Sequence, residues 1–275
     1  MNKLSIITIN YNNRDGLLKT IESVIGQTYT DYEYIIIDGG STDGSVEMVK
    51  QYAEKIDIWV SEPDKGIYNA MNKGILKSTG EYCNFMNSGD CYSDKEVLAN
   101  ILPLYDEDII LGSYHEEGSM YRFAHHSNTI TMLDLFRKGI NHQSTFIKRK
   151  LFNENLYDES LRIVADWKFF VDVLVFRNCT FRNVDTVVTM YDTTGISSTN
   201  KEALLSERTR VLKDMLPERI YSDYTRYAKS DSPLLEFTPF LNQTYGFQSF
   251  IYKIVALLIR IYTFRQNFFF KNKTR

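Results

Sequence analysis

The chain reads as an α/β domain, a mostly parallel sheet flanked by helices, followed by a helical C-terminal extension. Three observations predict this. Short β-branched apolar runs alternate with segments of helical period through the first hundred residues. Each run ends in small, polar or acidic residues, as the ligand-binding edge of an open α/β sheet does. After about Ser197 both patterns give way to charged and then aromatic–basic segments.

The elements follow in order. LSIITIN (Leu4 to Asn10) and YIIID (Tyr34 to Asp38) have the unbroken apolar character of strands buried on both faces. Between them Leu17, Leu18, Ile21, Val24 and Ile25 recur at helical spacing, and Gln27-Thr28 closes that helix. A second helix follows Asp43-Gly44, with Val46, Val49, Tyr52 and Ala53 on one face. IDIWV (Ile56 to Val60) predicts a third strand, GIYNAMNKGILK (Gly66 to Lys77) a third helix, and EYCNFM a fourth strand. Ser93 to Glu96 has the form of a capping box ahead of Val97, Leu98, Ile101 and Leu102. Strand–helix alternation of this kind implies parallel strands joined by right-handed crossovers.

The strand ends carry the chemistry. The four predicted strands finish in Thr8-Ile9-Asn10, Asp38-Gly39-Gly40-Ser41, Ser61-Glu62-Pro63-Asp64-Lys65-Gly66 and Asn87-Ser88-Gly89-Asp90. They therefore deliver polar, small and acidic groups to one edge of the sheet. The most informative stretch is YCNFMNSGDCY, residues 82 to 92, where an apolar run stops on a glycine-containing turn with a carboxylate. A lone carboxylate among small polar residues suits a hard divalent cation that holds a phosphate. No Gly-x-Gly-x-x-Gly follows the first strand and no Gly-x-x-x-x-Gly-Lys-Ser/Thr occurs, which excludes the common dinucleotide and P-loop fingerprints.

Composition bounds the rest. At 275 residues and 43% hydrophobic content the chain suits one large domain with an appendage, or two small ones. The division expected is 1–200 for the sheet domain and 201–275 for the extension. A net charge of -3 argues against a nucleic-acid partner. Three cysteines, Cys83, Cys91 and Cys179, lack metal-ligand spacing and read as reduced cytosolic thiols. No signal peptide is visible, and no uncharged apolar run approaches the ~20 residues that span a bilayer. FIYKIVALLIRIY, from Phe250, is broken by Lys253 and Arg260.

Taken in order, SIITINYNN, IIIDGGSTDGS, DKGIYNAMNKGI, NSGD, NHQSTF and ADWKFF resemble the family-2 inverting glycosyltransferases of the GT-A fold, over roughly residues 3 to 190. That resemblance implies a Rossmann-like, mostly parallel sheet and a nucleoside-diphosphate sugar, UDP-linked by expectation, as donor. It implies that Thr8 and Asn10 line the nucleotide pocket and that Asp38 accepts a hydrogen bond from the base, with Ser41 in the same turn. Asp64 and Lys65 would lie beside the uracil or ribose, Gly66 would allow close backbone approach, and Asn72 would face the donor. Asp43, in the Ser41 turn, reads as a helix cap ahead of a ligand contact. The family's metal motif, Asp-x-Asp with a further Asp, stands here as Asn87, Gly89 and Asp90. Asp90 is thus the direct ligand expected for Mg²⁺ or Mn²⁺, with Asn87 as a neutral helper on the donor side.

The resemblance makes Asp166 the general base, taking the acceptor's proton as its oxygen attacks C1. Read without it, the same residue is an N-cap for VADWKFFVDVL, whose Trp167, Phe170, Val171 and Leu174 point inward. His142, in a strand predicted for NHQSTFIKR, is expected to meet the diphosphate or the acceptor, with a hydrogen-bonded buried histidine as the alternative. The His125-His126 pair reads as loop, because adjacent side chains diverge.

In the tail, Lys253, Arg260, Arg265, Lys271, Lys273 and Arg275 are interleaved with Phe and Tyr, the composition of a helix lying at an anionic lipid surface. A helix packed on the domain or in a dimer is the alternative. The expected function is inverting sugar transfer to a hydroxyl of a lipid-linked or surface-polysaccharide acceptor, in the bacterial cytoplasm or peripherally at the inner face of the plasma membrane. Two other classes are weighed: a degenerate homologue that only binds nucleotide, favoured by the thinned metal motif, and a sugar nucleotidyltransferase. The second is disfavoured by TINYNNRDG, which lacks the glycine-rich loop such enzymes place after strand one.

Overall fold

A computed structural model describes residues 3–103, 106–116, 122–123, 129–195, 199–229, 249–258 and 260. The chain forms two units, Met1–Tyr221 and Ser222–Arg275. In the first, β1 (Leu4–Asn10), β2 (Tyr32–Asp38), β3 (Ile58–Ser61) and β4 (Tyr82–Phe85) pair in parallel in the order β3-β2-β1-β4. The intervening crossovers carry α1 (Arg14–Ile25), α2 (Ser45–Gln51) and α3 (Ile67–Lys77). The register sets Asn10 beside Asp38 and Asp38 beside Ser61, so three strands present their last polar residue in one row.

Beyond β4 the sheet turns mixed. β8 (Thr145–Lys148) runs antiparallel to β4, and β6 (Ile109–Glu116) antiparallel to β8. β9 (Phe181–Tyr191) lies parallel to β6, and β5 (Cys91–Tyr92) closes the path antiparallel to β9. A short β7 (Arg122–Phe123) pairs with β6 outside this path. The register of β6 on β9 slips between Leu111 and Tyr114, the local irregularity that bends a strand. One consequence is that β9 ends at Tyr191, next to the turn that follows β4.

The core explains the order. Leu4 and Ile6 on β1, Tyr34 and Ile36 on β2, and Tyr82 on β4 are fully buried against Leu17, Ile21 and Val24 of α1. On the opposite face Gly74 of α3 lies directly on Ile7, so a Cβ there would overlap the Ile7 Cγ2 methyl. Because both atoms sit on rigid elements, Gly74→Val should destabilise by about 1–3 kcal/mol through overpacking. Urea unfolding monitored by circular dichroism would register this as a lower midpoint at constant slope.

Among the described residues the unit also holds the α-helices α4 (Val97–Ile101), α5 (Met132–Arg137), α6 (Ala165–Val171), α7 (Lys201–Met215) and the start of α8 (Glu218–Lys229). The expected Ser93–Glu96 capping box does not form. Glu96 itself is the N-cap residue, its N–H donating to Asp94 Oδ1, while its carboxylate accepts from Thr28 Oγ1 and Gln27 Oε1 accepts from Leu98 N. NHQSTF is also not all strand: His142–Ser144 is a 3-10 turn leading into β8. α6 buries Trp167, Phe170 and Val171 as read from the sequence, then loosens into a π-helical turn, Asp172–Phe176, that buries Leu174. α7, assigned by composition to the extension, packs on the first unit: Glu207 accepts from the backbone of Arg162 and Ile163.

In the second unit residues 249–258 are helical and leave Phe250, Tyr252, Leu257 and Leu258 exposed. No helix among the described residues is long and apolar enough to cross a membrane. His125-His126 and the basic residues after Arg260 lie outside the described residues.

Candidate active site

The C-terminal ends of β1 and β4, the start of α3, the His142 turn, the start of α6 and the segment after β9 enclose a cavity of about 590 Å³. The turn after β4 forms its floor. Gly89 has φ +107, a conformation that favours glycine, and a Cβ there would stand 2.6 Å from Asp192 Oδ2. The glycine at the middle position of the thinned metal motif therefore leaves room for a carboxylate arriving from the end of β9. Asp90 is 4% exposed; its oxygens accept from Asp192 N at 2.8 Å and from Gln143 Nε2 at 2.9 Å. Burial outweighs these two hydrogen bonds and pushes the Asp90 carboxyl up to about 6.

The second carboxylate has the opposite bias. Asp166 sits in the first turn of α6, and the N-cap position belongs to Val164, so the capping role is not the one it takes. Its Oδ1 accepts from Tyr68 Oη of α3 at 2.8 Å, and its Oδ2 pairs with His142 Nδ1 at 2.7 Å. Burial works against the charged form. The hydrogen bonds from His142 Nδ1 and from Tyr68 nevertheless hold the carboxyl below its ordinary range. Tyr68, pushed well above its ordinary value by burial and by Asp166, keeps its proton and donates.

One 3-10 turn serves both carboxylates. Asn141 Oδ1 caps it by accepting from Ser144 N at 2.9 Å. His142 then reaches Asp166, and the next residue, Gln143, reaches Asp90. Gln143's own carbonyl accepts from Asn84 and Thr189, which locks the turn to β4 and β9. His142 Nε2 lies 3.1 Å from Asn87 Nδ2, so Asp166 is linked through one imidazole to the turn that carries Asp90.

The remaining residues singled out by sequence fall into two groups. Asn10, Asp64, Gly66 and Asn87 join Asp90, His142 and Asp166 on the cavity wall. Gly66 has φ +121 and opens α3, with its N–H donating to Asp64 Oδ1 at 2.8 Å. Thr8, Asp38, Ser41, Lys65 and Asn72 lie off that wall. Thr8 is fully buried and bonds Met86 O and Tyr34 Oη, which leaves it no face toward a ligand. Asp38 accepts five hydrogen bonds from its own turn and the two flanking strands, from Asn10 Nδ2, Gly40 N, Ser41 N, Ser41 Oγ and Ser61 Oγ. That set outweighs burial and holds Asp38 ionised below its ordinary range. Ser41 Oγ also accepts from Asn12 N. Lys65 is exposed, and its backbone N–H binds Asn69.

Asn72 departs furthest from expectation. Its amide donates to Tyr157 O and Glu159 Oε1 and accepts from Tyr157 N, so it clamps the segment before α6 to α3. Asp43 does act at helix starts, accepting from Arg14 N of α1 and from Ser45 N of α2.

Among the cavity residues that sequence reasoning did not single out are Tyr11, Tyr68, Gln143, Asp192 and Arg208. Arg208 lies over the Trp167 ring at 4.5 Å and donates to Leu135 O, the carbonyl that also accepts from Trp167 Nε1. The regular GIYNAMNKGI helix hides Tyr68, and Asp192 and Arg208 stand in segments without a motif. Only Gln143, beside a histidine in a polar run, offered a local signal.

The donor set fits a divalent cation bound with its phosphates. Asp90 supplies a carboxylate, Asp192 carries a second at the same wall, and Asn87 Oδ1 is a fully buried oxygen with no hydrogen-bond partner. All are hard oxygen donors. No group of three His, Cys, Asp or Glu side chains suited to a metal occurs among the described residues. Diphosphate and water would have to complete the shell.

Comparison with known proteins agrees with this architecture. An uncharacterised glycosyltransferase of Mycobacterium tuberculosis strain H37Rv is 30% identical over 213 residues, covering 71% of this chain and 77% of the relative. A PGL/p-HBAD biosynthesis glycosyltransferase of Mycobacterium bovis strain BCG is 28% identical over 199 residues, covering 70% and 77%. Residues 1–349 of Staphylococcus aureus TarS, solved with UDP-GlcNAc, superpose with a TM-score of 0.63 at 18% identity over 90% of this chain and 77% of that one. The mannosyltransferase PcManGT of Pyrobaculum calidifontis, solved with GDP-Man and Mn²⁺, gives 0.56 at 14% identity over 94% and 81%. The sheet and its flanking helices are thus the GT-A fold. The family model for glycosyl transferase family 2 matches residues 5–167, which hold β1 through β4, the Asp90 turn, the His142 turn and Asp166, and the chain belongs to that family.

Proposed function

We propose that this glycosyltransferase inverts the anomeric centre of a nucleoside-diphosphate sugar, a UDP-sugar by preference, and moves it to a hydroxyl of a lipid-linked or surface-polysaccharide acceptor. One observation carries the reading: Asp166, an ionised carboxylate on the cavity wall, is joined through His142 and Asn87 to the turn that bears Asp90. Asp166 takes the proton of the acceptor hydroxyl as its oxygen attacks C1. A new C1–O bond forms on one face of the sugar. The bond from C1 to the phosphate oxygen breaks on the other, its electron pair leaving with the diphosphate. Asp90, with Asn87 and Asp192 beside it, would hold Mg²⁺ or Mn²⁺, which supplies positive charge to the leaving diphosphate.

The donor assignment is supported by TarS, whose structure holds UDP-GlcNAc. For the base we look to Tyr11, whose ring is 67% exposed at the cavity beside Asp64. A nucleobase stacked on an aromatic ring contributes about 1–3 kcal/mol. Tyr11→Ala should therefore weaken UDP binding by about tenfold or more in a calorimetric titration, without altering the fold. Unchanged affinity would place the base elsewhere.

The lipid-linked acceptor draws support from the tail, whose exposed Phe250, Tyr252, Leu257 and Leu258 are interleaved with Lys253 and Arg260. On this reading the enzyme works peripherally at the inner face of the plasma membrane. The thinned metal motif favours one other reading, nucleotide binding without transfer. UDP release from a UDP-sugar separates the two.

A further inference from the structure

We propose that His142 is a positioning residue that sets the distance between the base and the diphosphate turn. The inference rests on Asp166 as the base and adds what holds that base in register with the leaving group. A single displacement needs the attacking and leaving oxygens on opposite sides of one carbon, so the two must keep a fixed separation. His142 touches the elements responsible for both, with Nδ1 2.7 Å from Asp166 Oδ2 and Nε2 3.1 Å from Asn87 Nδ2. An ionised carboxylate can only accept, so Nδ1 carries the proton and Nε2 accepts from the Asn87 amide. The imidazole is planar and rigid, and these two bonds leave from opposite corners of one ring.

The ring is itself held. Phe85 meets it edge-on at 6.4 Å, and the turn beneath it is capped by Asn141 and bonded through Gln143. Tyr68 fixes the other oxygen of Asp166 from α3. The base therefore has little rotational freedom of its own, and the span across His142 fixes where its remaining lone pairs point. A diphosphate settling on the turn would compete for the Asn87 N–H, and the histidine would register the change at Nε2.

Two measurements test this. The first uses hydrolysis of the UDP-sugar that the unmodified enzyme turns over, with water as acceptor. His142→Phe, close in size but unable to make either bond, should lower kcat about 100-fold while KM for the donor changes less than threefold. His142→Asn, which can still donate to Asp166, and His142→Gln, which can still reach Asn87, should each recover part of the loss. The second follows the imidazole nitrogens by ¹⁵N NMR. The Nδ1–H signal should disappear in Asp166→Ala, and the Nε2 signal should shift when UDP is added to the unmodified protein but not to Asn87→Ala. The proposal is overturned by full kcat in His142→Phe, by equal damage from all three substitutions, or by an Nε2 signal indifferent to UDP. If Asp166→Asn is itself fully active, the base assignment fails instead.

Discussion

Asp166→Asn should lower kcat by about 10²–10⁴, the range for loss of a positioned general base, while UDP binding stays within a few-fold of the unmodified protein. The amide is nearly isosteric and can still accept one hydrogen bond, from Tyr68 or His142, so the fold of α6 should survive. What it cannot do is take a proton. Asp166 touches no residue of the Asp90 turn directly; its link runs through His142 and Asn87. That separation is why the loss should appear in kcat and not in donor affinity. Calorimetry with UDP beside a UDP-release assay measures both quantities on the same preparation. A parallel loss of UDP affinity would mean that Asp166 belongs to the donor site.

Asp90→Asn should have opposite effects on binding and on stability. Burial pushes this carboxyl up to about 6, above its ordinary value of 3.8. Between these two values the unfolded chain ionises while the folded, metal-free protein keeps its proton, so stability falls as pH rises through that window. At neutral pH the penalty amounts to at most about 3 kcal/mol. An asparagine would accept from Asp192 N and donate to a rotated Gln143 amide, which removes the penalty without orphaning a partner. The metal-free Asp90→Asn protein should therefore melt several degrees higher than the unmodified one at pH 7, with the gap closing below about pH 4. Its metal-dependent UDP binding should be lost. In the unmodified protein that binding should weaken as pH falls below about 6, since a cation needs the ionised carboxylate. Unchanged UDP affinity in Mn²⁺ would remove Asp90 from the metal site.

The sheet was legible because its signals are local. LSIITIN and YIIID announce buried parallel strands, and β1 and β2 pair over their whole length in the register that aligns Asn10 with Asp38. Asp90 stood out for the same reason, at the end of the apolar run of β4, whereas Asp166 drew notice only through the resemblance, since its own segment reads as a helix start. Roles decided by distant partners were not legible. Asn72 faces the Tyr157 segment, 85 residues away, and no periodicity of α3 distinguishes that from facing a ligand. Thr8 looks like a strand-end polar residue but points inward to Tyr34 and Met86. Asp38 reads as an open acceptor, yet Gly40 and Ser41 fold back to bond both its oxygens. Asp192 could not be weighed at all, because only the course of β9 brings it over Gly89. The glycine that weakens the metal motif in sequence is, in the fold, the space that admits that second carboxylate.

The central claim is a single displacement at C1 with Asp166 as base. Anomeric ¹H NMR of the sugar released or transferred from an α-linked donor such as UDP-GlcNAc, recorded before mutarotation, tests it most directly. The account predicts a β product from the unmodified enzyme and essentially none from Asp166→Asn. An α product, or β product formed at the full rate by Asp166→Asn, would contradict it.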